Sequence, residues 1–138
     1  MGTVWLQGAS ASVNTVELLD RLDEEGLNVR VASVVSPELF ADQSPEYRAH
    51  VYPDAQRFDS MVVSTMTKRV PPLPDLGPLT EEYSLYADQD DRWLSGGSED
   101  DVITEAGLDT EAIHAAIARF CAERDQRIER QQSALAGL

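Results

Sequence analysis

The chain has 138 residues, the length of one ordinary domain with a single core. Its net charge of −14 disfavours nucleic acid as a partner, because nucleic-acid-binding surfaces need clustered lysines and arginines. Hydrophobic residues make up 42% and charged residues 26% of the sequence, as in a folded soluble protein. No apolar stretch approaches the roughly 20 residues that cross a bilayer, and the amino terminus lacks the features of an export signal. We therefore expect a cytoplasmic protein.

The first 35 residues predict a βαβ unit. Residues 3–7 are an apolar run followed by small residues from Gly8 to Ser12, which suit a tight turn from a strand into a helix. Apolar residues at helical spacing follow from Asn14, and Gly26 is placed to end that helix. Residues 28–35 are rich in β-branched side chains and too apolar for an exposed strand. A parallel, buried sheet is the expected result.

Two short helices and a third strand are predicted next. Ser36 and Ser44 each precede a proline at a first helical position, and Leu39 and Phe40 are the expected apolar anchors of the first helix. Residues 60–64 predict the third strand. Residues 70–78, here called the proline loop, cannot hold a helix or a central strand, and form either an ordered crossing or an exposed excursion.

The last third of the chain is predicted to be mainly helical. Residues 82–87 alternate as a strand does, and Ser98 with the acids after it begins a short helix that stops at Gly107. A last helix starts near Asp109, and its apolar pattern decays after Glu123. We predict a domain over residues 1–124 and a polar helical tail over 125–138, frayed or exposed. The expected fold is a three-layer α/β/α sandwich with a mostly parallel sheet of about five strands.

Few side chains are arranged for chemistry. The loop at Gly8 has one glycine and no lysine-serine ending, so a tight turn is favoured over a phosphate site. His50 and His114 lie on predicted helices without metal-ligand spacing, and Cys121 falls among helical core positions, where it would be a small core side chain. We predict no catalytic residue, no cofactor-binding residue and no metal ligand in this chain.

Three further features of the sequence have both a functional and a structural interpretation. The acids Asp88, Asp90 and Asp91 with Glu81 and Glu82 lack the spacing of a calcium loop and are interpreted as a solvated loop. The adjacent cations Lys68 and Arg69 follow the third strand, where an anion could bind, although this is the less favoured interpretation. Trp93, in a polar loop, is either a lid over the core or an interface anchor.

The order of these segments resembles the last domain of transketolases. The family has a Ser-x-Glu-Leu-Phe-x-x-Gln-x-x-x-Tyr-Arg segment after the second strand, and this sequence matches it at Ser36, Glu38, Leu39, Phe40, Gln43, Tyr47 and Arg48. Residues 107–113 are similar to the family's Gly-Leu-Thr-x-Glu-x-Ile start of the final helix. The resemblance extends to about Ala122. Two segments depart from the family: Gly-Ala-Ser-Ala replaces Gly-Ser-Glu after the first strand, and residues 64–68 with the proline loop replace Glu-Ala-Gly.

The resemblance implies a non-catalytic role. In the family, thiamine diphosphate and magnesium bind between the first two domains, and the third domain packs and completes the dimer. Neither the Gly-Asp-Gly metal motif nor the cofactor's glutamate site maps onto this sequence. We therefore expect the carboxy-terminal-domain subunit of a split or excised transketolase-like enzyme, inactive alone, with the cofactor and its magnesium in a larger partner subunit.

Other assignments stay open. The chain could instead be a free-standing interaction or regulatory module, or a subunit of a related 2-oxoacid dehydrogenase or deoxyxylulose-phosphate-synthase-like enzyme. In the transketolase-like case, a surface more apolar than a monomer needs should face the partner, and Trp93, Leu94 and the proline loop are the candidates for it.

Overall fold

The structure is a computed structural model that describes residues 1–138. It contains four strands and nine helices. The strands are β1 (Gly2–Gln7), β2 (Val29–Ser33), β3 (Ser60–Ser64) and β4 (Leu85–Tyr86). The helices are α1 (Ala9–Val16), α2 (Leu19–Glu24), α3 (Pro37–Ala41), α4 (Pro45–Val51), α5 (Asp54–Phe58), α6 (Thr80–Tyr83), α7 (Glu99–Glu105), α8 (Thr110–Ala122) and α9 (Arg124–Ala136). None of these helices has both the length and the apolar character needed to cross a membrane.

The strands form one parallel sheet in the order β2-β1-β3-β4. The α/β class and the parallel sheet predicted from the sequence are confirmed, but the sheet has four strands rather than about five. No further strand can form because residues 87–98 are a polar loop containing Gly96 and Gly97, and the chain beyond Ser98 is helical apart from the short turn between α7 and α8.

Both faces of the sheet are covered, as a buried parallel sheet requires. Successive side chains of a strand point to opposite faces, so Val4 and Leu6 face one side and Trp5 the other. The first side packs against α1, α2 and α8 through Ala11, Leu18, Leu22, Ile113, Ile117 and Phe120. The second side packs Trp5, Val62 and Tyr86 against the proline loop and side chains of the α3–α4 region.

The proline loop is an ordered crossing. Pro72 and Leu73 are buried, and Leu73 packs with Trp5 and Val62. The Tyr52 hydroxyl donates a hydrogen bond to the carbonyl of Pro74 at 2.9 Å. The loop therefore supplies much of the second covering layer, so it is not the free apolar surface that the sequence suggested.

Side-chain capping explains where four of the nine helices begin. The side chains of Ser36, Ser44, Ser98 and Asp109 each accept a hydrogen bond from a backbone N–H in the first turn of α3, α4, α7 and α8. These four starts agree with the sequence prediction. The predicted helix from Asn14 to Gly26 is instead divided into α1 and α2, and α5 was not predicted.

The predicted strand over residues 82–87 is mostly wrong. Its first part belongs to α6, and only Leu85–Tyr86 pairs with β3. Ser84 explains the change of structure because its hydroxyl donates to the carbonyl of Thr80 (2.7 Å) and accepts from the N–H of Val62 (2.9 Å). One side chain thus ends the helix and attaches the following residues to the sheet.

The carboxy-terminal tail is a helix, as predicted, but it is not frayed or wholly exposed. Arg127 and Gln131 of α9 are buried. Gln131 donates a hydrogen bond to the carbonyl of Phe58 at 2.8 Å, and Arg127 forms an ion pair with Asp59. The polar sequence of the tail concealed this packing because the partners lie far away in the chain.

Candidate functional site

The sheet has a topological switch point at the carboxyl ends of β1 and β3, where doubly wound folds often bind ligands. Here the turn after β1 is tightly closed. Gly8 has φ of 93°, and the side chain of Thr65 occupies the space where a Cβ would lie. The Ser12 hydroxyl donates back to the carbonyl of Gly8 at 2.8 Å. The predicted tight turn is therefore present. Its small residues allow the chain to turn closely from β1 into α1 and do not form a phosphate-binding loop.

The two adjacent cations after β3 are engaged within the protein. Lys68 Nζ lies 2.9 Å and Arg69 Nη2 lies 3.3 Å from the carboxylate of Asp91. The hydrogen bond from Lys68 is the main cause that lowers the pKa of Asp91 below its ordinary value. Because both cations are engaged with Asp91, they are less available to a substrate phosphate.

The acidic residues near β4 are also used internally. Asp88 accepts hydrogen bonds from the Thr67 hydroxyl (2.6 Å) and the Lys68 N–H (2.8 Å), and the Thr67 bond is the main cause that lowers the pKa of Asp88. Glu82 pairs with Arg130 at 2.9 Å. Asp88 thus joins the loop after β3 to the loop after β4, and Glu82 joins α6 to α9. Nowhere do three or more His, Cys, Asp or Glu side chains form a group that could hold a metal ion.

The histidines and the cysteine have ordinary structural positions. His50 is exposed on α4, whereas His114 Nε2 lies 2.7 Å from Glu25 Oε2 and joins α8 to the end of α2. Cys121 is half-buried beside the core. Burial raises the pKa of its thiol, which disfavours the reactive thiolate.

Trp93 is the most exposed large side chain within the domain, at 98% of its maximum. Its loop is held at the base by Glu105 of α7, which pairs with Arg92 at 2.8 Å and accepts a hydrogen bond from the Ser95 N–H at 3.0 Å. Leu94, by contrast, is half-buried. Trp93 is therefore not a lid over this domain's core, and the anchored loop presents it to solvent.

A second apolar surface lies at the β2 edge of the sheet, whereas the Trp93 loop follows β4 at the opposite edge. The sequence analysis missed this surface. It is a cavity of about 390 Å³ beside the end of β2, here called the aromatic groove. Its lining residues come from β1, from the segment 33–52 and from the proline loop, and include Trp5, Val35, Leu39, Phe40, Tyr47 and Tyr52.

Aromatic contacts shape the groove. The rings of Trp5 and Tyr52 meet edge to face at 5.3 Å, and Phe40 lies 6.3 Å from Tyr52 and 6.5 Å from Tyr47. Leu39, predicted to be an inward anchor, is 66% exposed. The signal available in the sequence was the apolar run that continues past β2 into Val34 and Val35, which is longer than the strand needs.

No family model matches the sequence, and no curated protein matches it. The fold, however, is transketolase-like. A crystal structure of a transketolase mutant from Pichia stipitis, described as a complex with xylulose 5-phosphate, superposes with a TM-score of 0.66 at 19% sequence identity. The match covers 91% of this chain but 17% of that transketolase. The likeness therefore extends over almost the whole domain and concerns a small part of the larger enzyme.

Proposed function

We propose that this chain is the carboxy-terminal domain of a split transketolase-like, thiamine-diphosphate-dependent enzyme. In this proposal it stabilises the assembly and takes no direct part in moving a two-carbon ketol unit between sugar-like substrates. The supporting observation is the fold match, which covers nearly all of this chain and about a sixth of a transketolase. A cytoplasmic location belongs to the same proposal.

The cofactor would belong to a larger partner chain. The carboxylates that could have served a magnesium ion, Asp88 and Asp91, are occupied by a hydroxyl, a backbone N–H and two cations. The glycine-bearing turn after β1 is closed by Thr65. These features support assigning thiamine diphosphate, its metal and the chemistry of the cofactor to the partner.

Trp93 is the proposed anchor for that partner. A large aromatic side chain held fully in solvent gives no folding benefit, whereas tryptophan is among the residues that contribute most to protein interfaces. The ion pair of Arg92 with Glu105 fixes the base of its loop, which reduces the entropy lost on binding. Such an anchored, exposed aromatic residue suits docking.

The test is co-expression with a chain that carries the thiamine-diphosphate-binding domains and their Gly-Asp-Gly motif. We expect the two chains to co-purify, and ketol transfer to require both. This chain alone should show no ketol transfer and no calorimetric binding of thiamine diphosphate. Micromolar cofactor binding by the isolated chain, or two chains that fail to associate, would contradict the proposal.

An interaction or regulatory module with the same fold is the second candidate. It is favoured by the aromatic groove, a second exposed apolar surface that lies apart from Trp93. A stable partner without thiamine-diphosphate-binding domains would support this candidate. A partner from a 2-oxoacid dehydrogenase or a deoxyxylulose-phosphate-synthase-like enzyme would keep the assembly role and change the reaction.

A further inference from the structure

The aromatic groove exposes more apolar surface than the fold requires. Val35 is 91% and Leu39 66% exposed, and half of the Tyr47 side chain also faces solvent. These three residues surround one cavity rather than being scattered singly over the surface. A contiguous apolar patch of this kind marks an interaction site more often than a feature of the core.

The groove suits a protein side chain better than a small polar ligand. Two of its polar side chains are already engaged: Gln43 donates to the carbonyl of Leu39 at 2.9 Å, and Ser36 caps α3. The indole N–H of Trp5 is a buried donor left without a partner in the protein. The exposed rim residues leave the cavity widely open, whereas drug-sized ligands are mostly enclosed. Rigid aromatic walls with an open side are typical of grooves that accept an apolar anchor from a peptide or helix.

The charges around the groove indicate which partner can bind. Glu38, Asp42 and Glu46 are exposed on the segment that forms one wall, and none of them belongs to an ion pair. Arg48 is the nearby unpaired cation in the same segment. Three exposed acids against one exposed arginine give this rim a net negative charge.

This acidic rim disfavours two other occupants. A second copy of the chain would bring the same acids against it, and each copy carries a net charge of −14. An anionic bilayer surface would be repelled for the same reason. A positively charged protein surface would be attracted, and its apolar side chain would gain contacts with the aromatic walls.

We propose that the aromatic groove docks a basic polypeptide segment of a partner protein, with an apolar side chain of that segment inserted among Trp5, Leu39 and Tyr47. This surface is distinct from the Trp93 surface, because the groove borders β2 and Trp93 follows β4, the two edge strands of the sheet. It does not depend on the partner being a thiamine-diphosphate enzyme. The two proposals can therefore fail separately.

The probe is a synthetic amphipathic peptide of about 15 residues, with leucine on one helical face and lysine elsewhere. Binding to the full chain is followed by the two tryptophan indole resonances in an NMR titration. Trp5 lines the groove and its indole N–H has no hydrogen-bond partner in the protein. We expect the Trp5 resonance and the amides of residues 34–47 to shift while Trp93 stays unchanged.

Two matched pairs of variants separate docking from general attraction. Leu39→Asp should weaken peptide binding by about tenfold, whereas Val70→Asp, which places the same charge at an equally exposed apolar residue, should have little effect. Glu46→Lys should weaken binding more than Glu99→Lys, an exposed acid outside the groove. Circular dichroism confirms that each variant remains folded.

Four results would overturn the proposal. The first is an equal loss of peptide affinity for Leu39→Asp and Val70→Asp, and the second is equal binding of a peptide in which every lysine is replaced by glutamate. The third is an NMR shift confined to Trp93. The fourth is self-association of the chain that Leu39→Asp abolishes. The last result would identify a second copy as the occupant. None of these results affects the co-purification test of the proposed enzyme assembly.

Discussion

Arg127 and Asp59 form a buried ion pair that joins the carboxy-terminal helix to the entrance of β3. Arg127 Nη2 lies 2.6 Å from Asp59 Oδ1, and the arginine side chain has no solvent exposure. Its Nη1 donates to the carbonyl of Phe120 at 2.7 Å, and the guanidinium lies 3.8 Å from the centre of the Phe120 ring. Arg124 adds a second contact to Asp59 at 2.7 Å.

Removing the carboxylate should be costly. Asp59→Ala leaves the guanidinium of Arg127 buried without its counter-charge, and we expect a loss of about 3–5 kcal/mol in the free energy of unfolding. Asp54→Ala breaks the pair between an exposed carboxylate and the half-buried Arg57 and should change stability by less than about 1 kcal/mol. Urea denaturation measures both. Similar small losses for the two variants would show that the buried pair contributes little.

The length of the carboxy-terminal tail provides a second test. Deleting residues 124–138 removes both arginines that pair with Asp59, and Gln131, so we expect a strongly destabilised domain. Deleting residues 133–138 removes only exposed residues and should cost less than about 0.5 kcal/mol. Thermal unfolding of the two shortened chains and of the full chain measures these losses of stability. If the chain lacking residues 124–138 is as stable as the full chain, the prediction of a frayed or exposed tail would be restored.

Stability at low pH should depend on Glu82. Its hydrogen bond from Arg130 is the largest cause that lowers its pKa below the ordinary 4.5. A carboxyl whose pKa is lower in the folded state stabilises the fold above its unfolded pKa, and this contribution is lost as pH falls through the folded value. Glu82→Gln should therefore reduce the loss of stability below pH 4.5. Glu81→Gln, at an exposed residue without an ion pair, is the control, and equal acid sensitivity of all three chains would contradict the prediction.

Gly8 should tolerate no side chain. Gly8→Ala places a Cβ against Thr65 at φ of 93° and ψ of 155°, a backbone conformation essentially restricted to glycine, so the loss of stability should exceed the roughly 1–3 kcal/mol of backbone strain alone. Gly26→Ala, at φ of 68° in open space, is the comparison for a glycine with positive φ and no side-chain overlap. Adding Thr65→Ala to Gly8→Ala should recover part of the loss. A double-mutant cycle with no coupling between the two sites would exclude this contact as the cause.

Trp93 should matter for association and not for folding. Because the side chain is almost fully exposed, Trp93→Ala should change the unfolding free energy by less than about 0.5 kcal/mol. Binding to the larger chain should weaken by about 2 kcal/mol or more, as for an aromatic anchor at the centre of an interface. Calorimetric titration with the partner measures this. Unchanged affinity would move the interface away from this loop.

The sequence by itself determined the class of fold and many of its local boundaries. Apolar and β-branched runs predicted the first three strands, and the capping residues Ser36, Ser44, Ser98 and Asp109 predicted four helix starts. These features depend on neighbours within a few residues, which a sequence displays directly. The resemblance to transketolases anticipated the fold that the structural match shows.

Tertiary structure alone decided which polar residues are buried and which apolar residues stay exposed. Arg127 lies in a tail of arginine, glutamine and glutamate, and its burial follows from Asp59, 68 residues earlier in the chain. Leu39 has the pattern of a core anchor but is 66% exposed and lines an open groove together with Trp5 and Tyr52. Burial depends on which distant segments become neighbours, and local periodicity contains no information on that.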